Sequence, residues 1–281
     1  MSPDVFAIIL VAAFLHASWN AFAKASKGDP LVQANLIAIG SAISAVPALL
    51  VSGLPDAASS IHVLASALIH VAYFVLIGLA YRYADYSAIY PLVRGSAPLF
   101  TTLLAMLLLG ETLAPSTWAG IGVLCGGILG LGIDAVRRGG LNGRSLMIAG
   151  LTAAIVVSYT LVDGLGARLS GNSAGYMLSM MTITGAIMAL VMICCQKAAL
   201  LSTPASLWGK SIAAGAIANI SYGTALWAMT KAPIGLVGAI RETSVLFAAL
   251  IAMVILKERF GVARWVAAFM IVVGLGLAKS G

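Results

Sequence analysis

Residues 94–111 read RGSAPLFTTLLAMLLLGE, and residues 241–258 read RETSVLFAALIAMVILKE. Laid over each other so that Arg94 falls on Arg241, they also match at Leu99 and Leu246, Phe100 and Phe247, Leu103 and Leu250, Ala105 and Ala252, and Met106 and Met253. Leu109 then falls on Leu256 and Glu111 on Glu258, and the ungapped register continues through Trp118 on Trp265 and Gly127 on Gly274. An apolar composition supplies Leu and Ala matches by chance, but it does not place Arg, Glu and Trp in one register. The chain is therefore internally duplicated, and the duplicated unit carries charge inside an apolar run.

The composition gives that charge its meaning. The 281 residues are 61% hydrophobic and only 9% charged, with a mean hydropathy of +1.05. A soluble domain carries about 25% charged residues, so this chain cannot cover a globule with polar groups and is read as a polytopic membrane protein. Charges, Pro and Gly divide it into ten apolar runs, at about 4–23, 31–52, 60–81, 86–109, 115–136, 145–167, 173–195, 209–230, 233–256 and 260–279. The runs are apolar on all sides and twice the length of a barrel strand, which predicts an all-α membrane protein. The polar stretch from Arg137 to Arg144 falls at the midpoint. It separates a first five-helix repeat (1–136) from a second (145–281), with 137–144 as linker. An odd number of spans per half makes the second copy start on the opposite side of the membrane. Inverted repeats of this kind are characteristic of secondary transporters, with the binding site near the midplane.

Ten spans at roughly 28 residues each, loop included, use the whole chain. No soluble catalytic or nucleic-acid domain is expected, so the net charge of +7 is loop and intramembrane charge. Met1-Ser2-Pro3-Asp4 offers no basic region ahead of the first run, which is expected to be a retained span and not a signal peptide. Cys125, Cys194 and Cys195 lie in apolar runs and suggest neither disulfides nor a metal site. There is no Walker loop, HExxH or nucleophile elbow, and Asp134 and Asp163 both fall near span ends, so no enzyme activity, cofactor or metal is predicted.

Eleven of the 16 Lys and Arg residues fall in loops on one side of the ten-span arrangement, and three (Arg168, Lys231 and Lys279) on the other. Arg94 and Arg241 fall in neither set. Each lies about eight residues into a span, roughly 12 Å deep. A cation there costs about 2.5–3.5 kcal/mol on insertion scales. One reading is structural: Glu242, at the repeat-equivalent position of Gly95, locks the bundle through Arg94. The other is a binding site in which one acid cannot neutralise two arginines, leaving surplus positive charge for the carboxylate, phosphate or phosphonate of a substrate. His16, Trp19 and Asn20 on the first span, Tyr90 on the fourth and Tyr222 on the eighth fall in the same layer and are the candidate pocket residues. Pro91 and Pro98 bracket Arg94 and favour a kink there. His16, His70 and Glu242 permit proton coupling. Gly122, Gly126 and Gly130 form a small-residue ladder for helix packing.

Trp19 with Lys24, the stretch Tyr90-Pro91-Leu92-Val93-Arg94-Gly95, and the loops Leu109-Gly110-Glu111 and Leu256-Lys257-Glu258 resemble the EamA branch of the drug/metabolite transporter superfamily over the whole chain. His16-Ala17-Ser18-Trp19-Asn20 and Arg241-Glu242 resemble a subgroup associated with phosphonate utilisation. The resemblance implies a basket of ten helices around a central cavity. Relatives that carry triose phosphates bind phosphate through basic residues on the fourth and ninth spans, where Arg94 and Arg241 lie. The expectation is a monomeric or homodimeric secondary transporter of the bacterial inner membrane. It would move a small anionic or zwitterionic metabolite (an organic acid, a phosphonate or phosphate ester, or an amino acid) by alternating access, with possible proton or exchange coupling. The alternative is an exporter of amphipathic or cationic compounds such as quaternary amines, with the arginines structural. Loop charge puts both termini outside, whereas the resemblance implies both inside; a compartment-sensitive reporter fused to Gly281 separates the two.

Overall fold

A computed structural model describes residues 1–24, 29–83, 86–137, 143–255 and 261–280. The helices are α1 (Pro3–Lys24), α2 (Pro30–Ser52), α3 (Ser60–Tyr83), α4 (Tyr86–Leu109), α5 (Pro115–Arg137), α6 (Gly143–Leu169) and α7 (Ser173–Cys195). They continue with the short α8 (Lys197–Ser202), α9 (Ala205–Met229), α10 (Ile234–Arg241), α11 (Ser244–Ile255) and α12 (Val262–Ser280). Among the described residues ten spans are long and apolar enough to cross a membrane, and α10 with α11 makes the ninth. The large apolar side chains left outside the core, among them Val11, Leu50, Leu68, Leu107 and Phe269, suit a lipid surround.

One sequence expectation about the spans changes. The ninth span, read as one helix over 233–256, is interrupted at Glu242 and Thr243. There the backbone tightens to three-residue spacing: Glu242 N–H donates to the Ala239 carbonyl at 3.1 Å and Thr243 N–H to Ile240 at 3.0 Å. The Thr243 hydroxyl adds a 2.7 Å bond to the same Ile240 oxygen, a local side-chain bond that competes with the helical ladder. The fourth span is one helix with Pro91 and Pro98 inside it.

The glycine ladder is also corrected. Gly122 and Gly130 have open space where a Cβ would stand. The close approach uses the next face of α5: a Cβ on Gly120 would meet the Ala278 backbone N at 2.3 Å, and one on Gly127 would meet Met270 Cβ at 2.8 Å. From α12, a Cβ on Gly274 would meet Gly120 O and Leu124 N, each at 2.6 Å. The repeat-equivalent glycines Gly127 and Gly274 thus both serve the interface between the last helices of the two halves.

The packing keeps its pattern when the halves are exchanged. α1 lies on α9 as α6 lies on α3, and α4 meets α6 as α1 meets α10 and α11, while α2 pairs with α7 and α5 with α12. Polar ties cross between the halves inside the apolar core. Ser221 Oγ donates to the Ala12 carbonyl at 2.7 Å, and Asn219 Nδ2 donates to Ser41 O at 2.9 Å and Ser44 Oγ at 3.0 Å.

One end of the bundle is knitted by loops from both halves. Gly110 (φ 69°) ends α4 in the left-handed region, and Glu111 N–H returns to the Ala105 carbonyl at 3.3 Å. That turn aims Glu111 across the halves. Its carboxylate accepts from Arg168 Nη2 at 2.6 Å and from the Ile234 N–H at the start of α10 at 2.9 Å. Arg168 also donates through Nε to Met229 O at 2.8 Å and through Nη2 to Ala232 O at 3.0 Å. Alongside, Asn172 Nδ2 donates to Ser52 O at 2.8 Å, and Asp56 N–H to Ser170 O at 2.9 Å. The Leu-x-Glu motif is thereby a cap and an ion pair joining the halves; its second copy, at Glu258, lies outside the described residues.

Candidate functional site

The break in the ninth span sets the centre of the site. Arg241 ends α10, and Glu242 follows in the tight turn; both are buried, at 5% and 4% exposure. Adjacent side chains diverge there, and Glu242 turns to α4, where its Oε1 lies 3.1 Å from Arg94 Nη1. Arg94, 5% exposed, also donates from Nη2 to His16 Nε2 on α1 in a short contact. A guanidinium has no acceptor, so His16 receives this bond on a bare Nε2 and carries its proton on Nδ1. The His16 ring rests edge-on against Trp19, with centroids 5.4 Å apart. The first, fourth and ninth spans thus meet through His16, Arg94 and Glu242.

Arg241 is treated differently. It makes no ion pair among the described residues, and its buried Nε has no hydrogen-bond partner. Its guanidinium carbon lies 5.0 Å from the Tyr222 ring centroid, a cation–π contact from α9. His16 lies in the field of both arginines, so the two cations face one region. The local account is one neutralised arginine and one that is not.

Sequence reasoning placed Asp163 near a span end and so missed it. α6 runs on to Leu169, and the Asp163 side chain is fully buried. It accepts from Tyr176 Oη on α7 at 3.0 Å and, in a short contact, from Tyr222 Oη on α9. His70 on α3 brings Nε2 to 4.0 Å from Asp163 Oδ2. Its ring lies 4.5 Å from that of Tyr159, centroid to centroid, and 5.7 Å from that of Tyr222. The expectation of one acid against two arginines is therefore amended: a second carboxylate stands behind Tyr222, separated from Arg241 by the phenol ring. The only local signal was Asp163 itself, an acid inside an apolar run; its tyrosine partners come from two other spans, Tyr176 on the next one and Tyr222 on α9.

The other predicted residues divide. Tyr222 joins the site directly, and Trp19 joins through His16. Asn20 turns back on its own helix, donating from Nδ2 to the His16 carbonyl at 2.8 Å. The side chain of Tyr90 lies outside the described residues. A groove of about 670 Å³ between α1, α2, α7 and α9, lined by Ile8, Ala48, Met177, Ile220, Gly223 and Trp227 among others, includes neither arginine.

With this geometry in view, the chain matches the model of the EamA-like transporter family twice, over residues 5–133 and 144–279. It belongs to that family, and each match takes in one five-span half. A solved crystal structure aligns over 99% of both chains at a TM-score of 0.74 and 21% identity, which shows a shared fold. No curated protein matches the chain.

Proposed function

Starting from its place among EamA-like transporters, we propose that this chain is a secondary transporter of the bacterial inner membrane. Its cargo is a small metabolite, anionic or zwitterionic, that carries a carboxylate, phosphate or phosphonate. One observation carries the reading: Arg241 is buried and, among the described residues, has no carboxylate partner, beside an Arg94 that already pairs with Glu242. An unpaired guanidinium inside a membrane is costly, and its planar fork fits a bidentate oxyanion. Arg241 takes the acidic group, and Arg94 holds Glu242 in place while adding to the positive field. Tyr222 and Trp19 shape the surroundings. The two halves rock about this layer to expose it to each side in turn.

The competing reading, a carrier of quaternary amines held by aromatic rings, is weakened by the same contacts. The Tyr222 face is already occupied by Arg241. A thermal-shift screen of the purified protein against phosphonates, phosphate esters, organic acids, amino acids and quaternary amines distinguishes them, because a ligand that binds the folded state stabilises it. The expected hit is an oxyanion whose stabilisation disappears in Arg241→Ala, with affinity falling by about 30-fold or more. Stabilisation by quaternary amines that survives both Arg94→Ala and Arg241→Ala, with no oxyanion effect, would refute the proposal.

A further inference from the structure

We infer that His70 and Asp163 form a proton-binding site, coupled through Tyr222 to Arg241, so that proton occupancy and anion occupancy assist each other. The inference builds on the reading of Arg241 as the anion-facing cation. Its own basis is a pair of opposed lone pairs. His70 Nδ1 lies 3.0 Å from the Ser66 carbonyl oxygen and 3.1 Å from Ser66 Oγ. A carbonyl only accepts, so Nδ1 carries the ring hydrogen, and in the neutral imidazole Nε2 is then bare. That bare nitrogen faces Asp163 Oδ2 across 4.0 Å. The carboxylate in turn is filled on its other sides by the Tyr176 and Tyr222 hydroxyls, both of which act there as donors. The arrangement lacks one particle between Nε2 and Oδ2, and a proton supplies it: on Nε2 it makes an imidazolium facing a carboxylate, both out of water.

The charge arithmetic gives the coupling its direction. Without the proton the His70–Asp163 pair carries one negative charge, and Tyr222 sets that charge one phenol away from Arg241, with its hydroxyl on Asp163 and its ring under the guanidinium. Arg241 is then offset in part from behind the ring, though not paired. With the proton bound, the pair is neutral, that offset is lost, and Arg241 draws an external oxyanion more strongly. By linkage the anion favours the proton to the same extent, which is the thermodynamic requirement for moving the two together. The other titratable or charged groups around the pair are Tyr73 on α3, Tyr159 on α6, and Arg94 and Glu242 of the neighbouring ion pair, which act on Tyr159. α2 brings no ionisable side chain to this packing. His70 and Asp163 are both closed to solvent here, at 3% and 0% exposure, so the proton enters only when a half moves.

The test needs no substrate. Infrared pH-difference spectra of the purified full-length protein in lipid nanodiscs, with ring-labelled histidine, follow all three imidazoles. The expected result is a histidine step between about pH 5 and 8, the range in which imidazoles titrate, accompanied by a carboxyl change. That step is lost in His70→Gln, and the carboxyl change is lost in Asp163→Asn. Tyr222→Phe and Arg241→Gln keep the step but displace it by about one pH unit, the scale of a nearby charge or hydrogen bond. A wild-type spectrum in which no imidazole other than His62 titrates overturns the inference without any variant. A step at His70 that neither Tyr222→Phe nor Arg241→Gln moves overturns the coupling. Absence of any oxyanion in the thermal screen, with this titration intact, would refute the anion reading and leave the proton site standing.

Discussion

Replacing Arg241 with methionine is expected to make the protein more stable while abolishing anion binding, and Arg94→Met is expected to do the opposite to stability. The magnitudes follow from their partners. Arg241 has no carboxylate within ion-pairing distance among the described residues, its Nε is unpaired, and its one close attractive contact is the Tyr222 face at 5.0 Å. A buried cation–π contact is worth about 2 kcal/mol, against about 2.5–3.5 kcal/mol for holding a guanidinium at this depth. Methionine fills similar volume without charge, so the net gain is about 1 kcal/mol, a few degrees in Tm at most. Arg94→Met instead strands Glu242, which is 4% exposed and loses its 3.1 Å partner. Breaking a buried pair from one side costs about 3–5 kcal/mol. The double variant Arg94→Met/Glu242→Leu removes both charges and should recover most of that loss. Thermal unfolding in nanodiscs, with the four proteins side by side, gives the order Arg241→Met at or above wild type, then the double variant, then Arg94→Met. If Arg241→Met unfolds as early as Arg94→Met, Arg241 is a structural cation, and the anion site built on it fails.

Three further outcomes follow from other contacts. Glu111→Ala removes the cap on Ile234 N–H and the partner of Arg168, which is about a third exposed, and should cost about 2 kcal/mol, whereas Glu111→Gln keeps an acceptor for the cap and should cost about 1 kcal/mol. Distance measurements between spin labels on the α4–α5 and α6–α7 loops should show this end opening more often in Glu111→Ala; unchanged distances would show that the tie does not hold the halves. Gly274→Leu puts a branched side chain where even a Cβ would meet Gly120 O and Leu124 N at 2.6 Å, and should destabilise by about 1–3 kcal/mol or more, while Gly122→Leu, facing open space, should leave Tm nearly unchanged. Thr243→Val removes the 2.7 Å hydroxyl bond to Ile240 O at the break, and should weaken oxyanion binding more than it lowers Tm, by straightening the turn that separates Arg241 from Glu242.

Much of this was legible in one dimension because membrane insertion leaves the chain few options. Apolar runs of span length must be helices, and a cation deep in a run stands out against a 9% charged background. Arg94 with Glu242 was anticipated from the repeat register, and the structure sets them 3.1 Å apart. Two things were not anticipated. The ninth span, with no Pro near Glu242, breaks because a threonine hydroxyl and two three-residue backbone bonds outcompete the ladder locally. Asp163 looked like a terminal residue because only its own span was in view; α6 ends just two residues later than expected, and it is the packing of Tyr176 and Tyr222 onto the carboxylate that buries it.

What order along the chain settled, then, is the solvent, the helix count, the duplication and the pair of intramembrane arginines, each a property of residue type and spacing. Which arginine is neutralised could not be settled that way, because it depends on a turn that sends Glu242 to Arg94 and leaves Arg241 over Tyr222. The His70–Asp163 pair likewise exists only once α3, α6, α7 and α9 are packed together, since His70, Asp163, Tyr176 and Tyr222 come from four helices and the contacts that join them all cross from one helix to another. Charge is written in the sequence, but its compensation is decided over a few ångströms in space, where the low dielectric makes each pairing count.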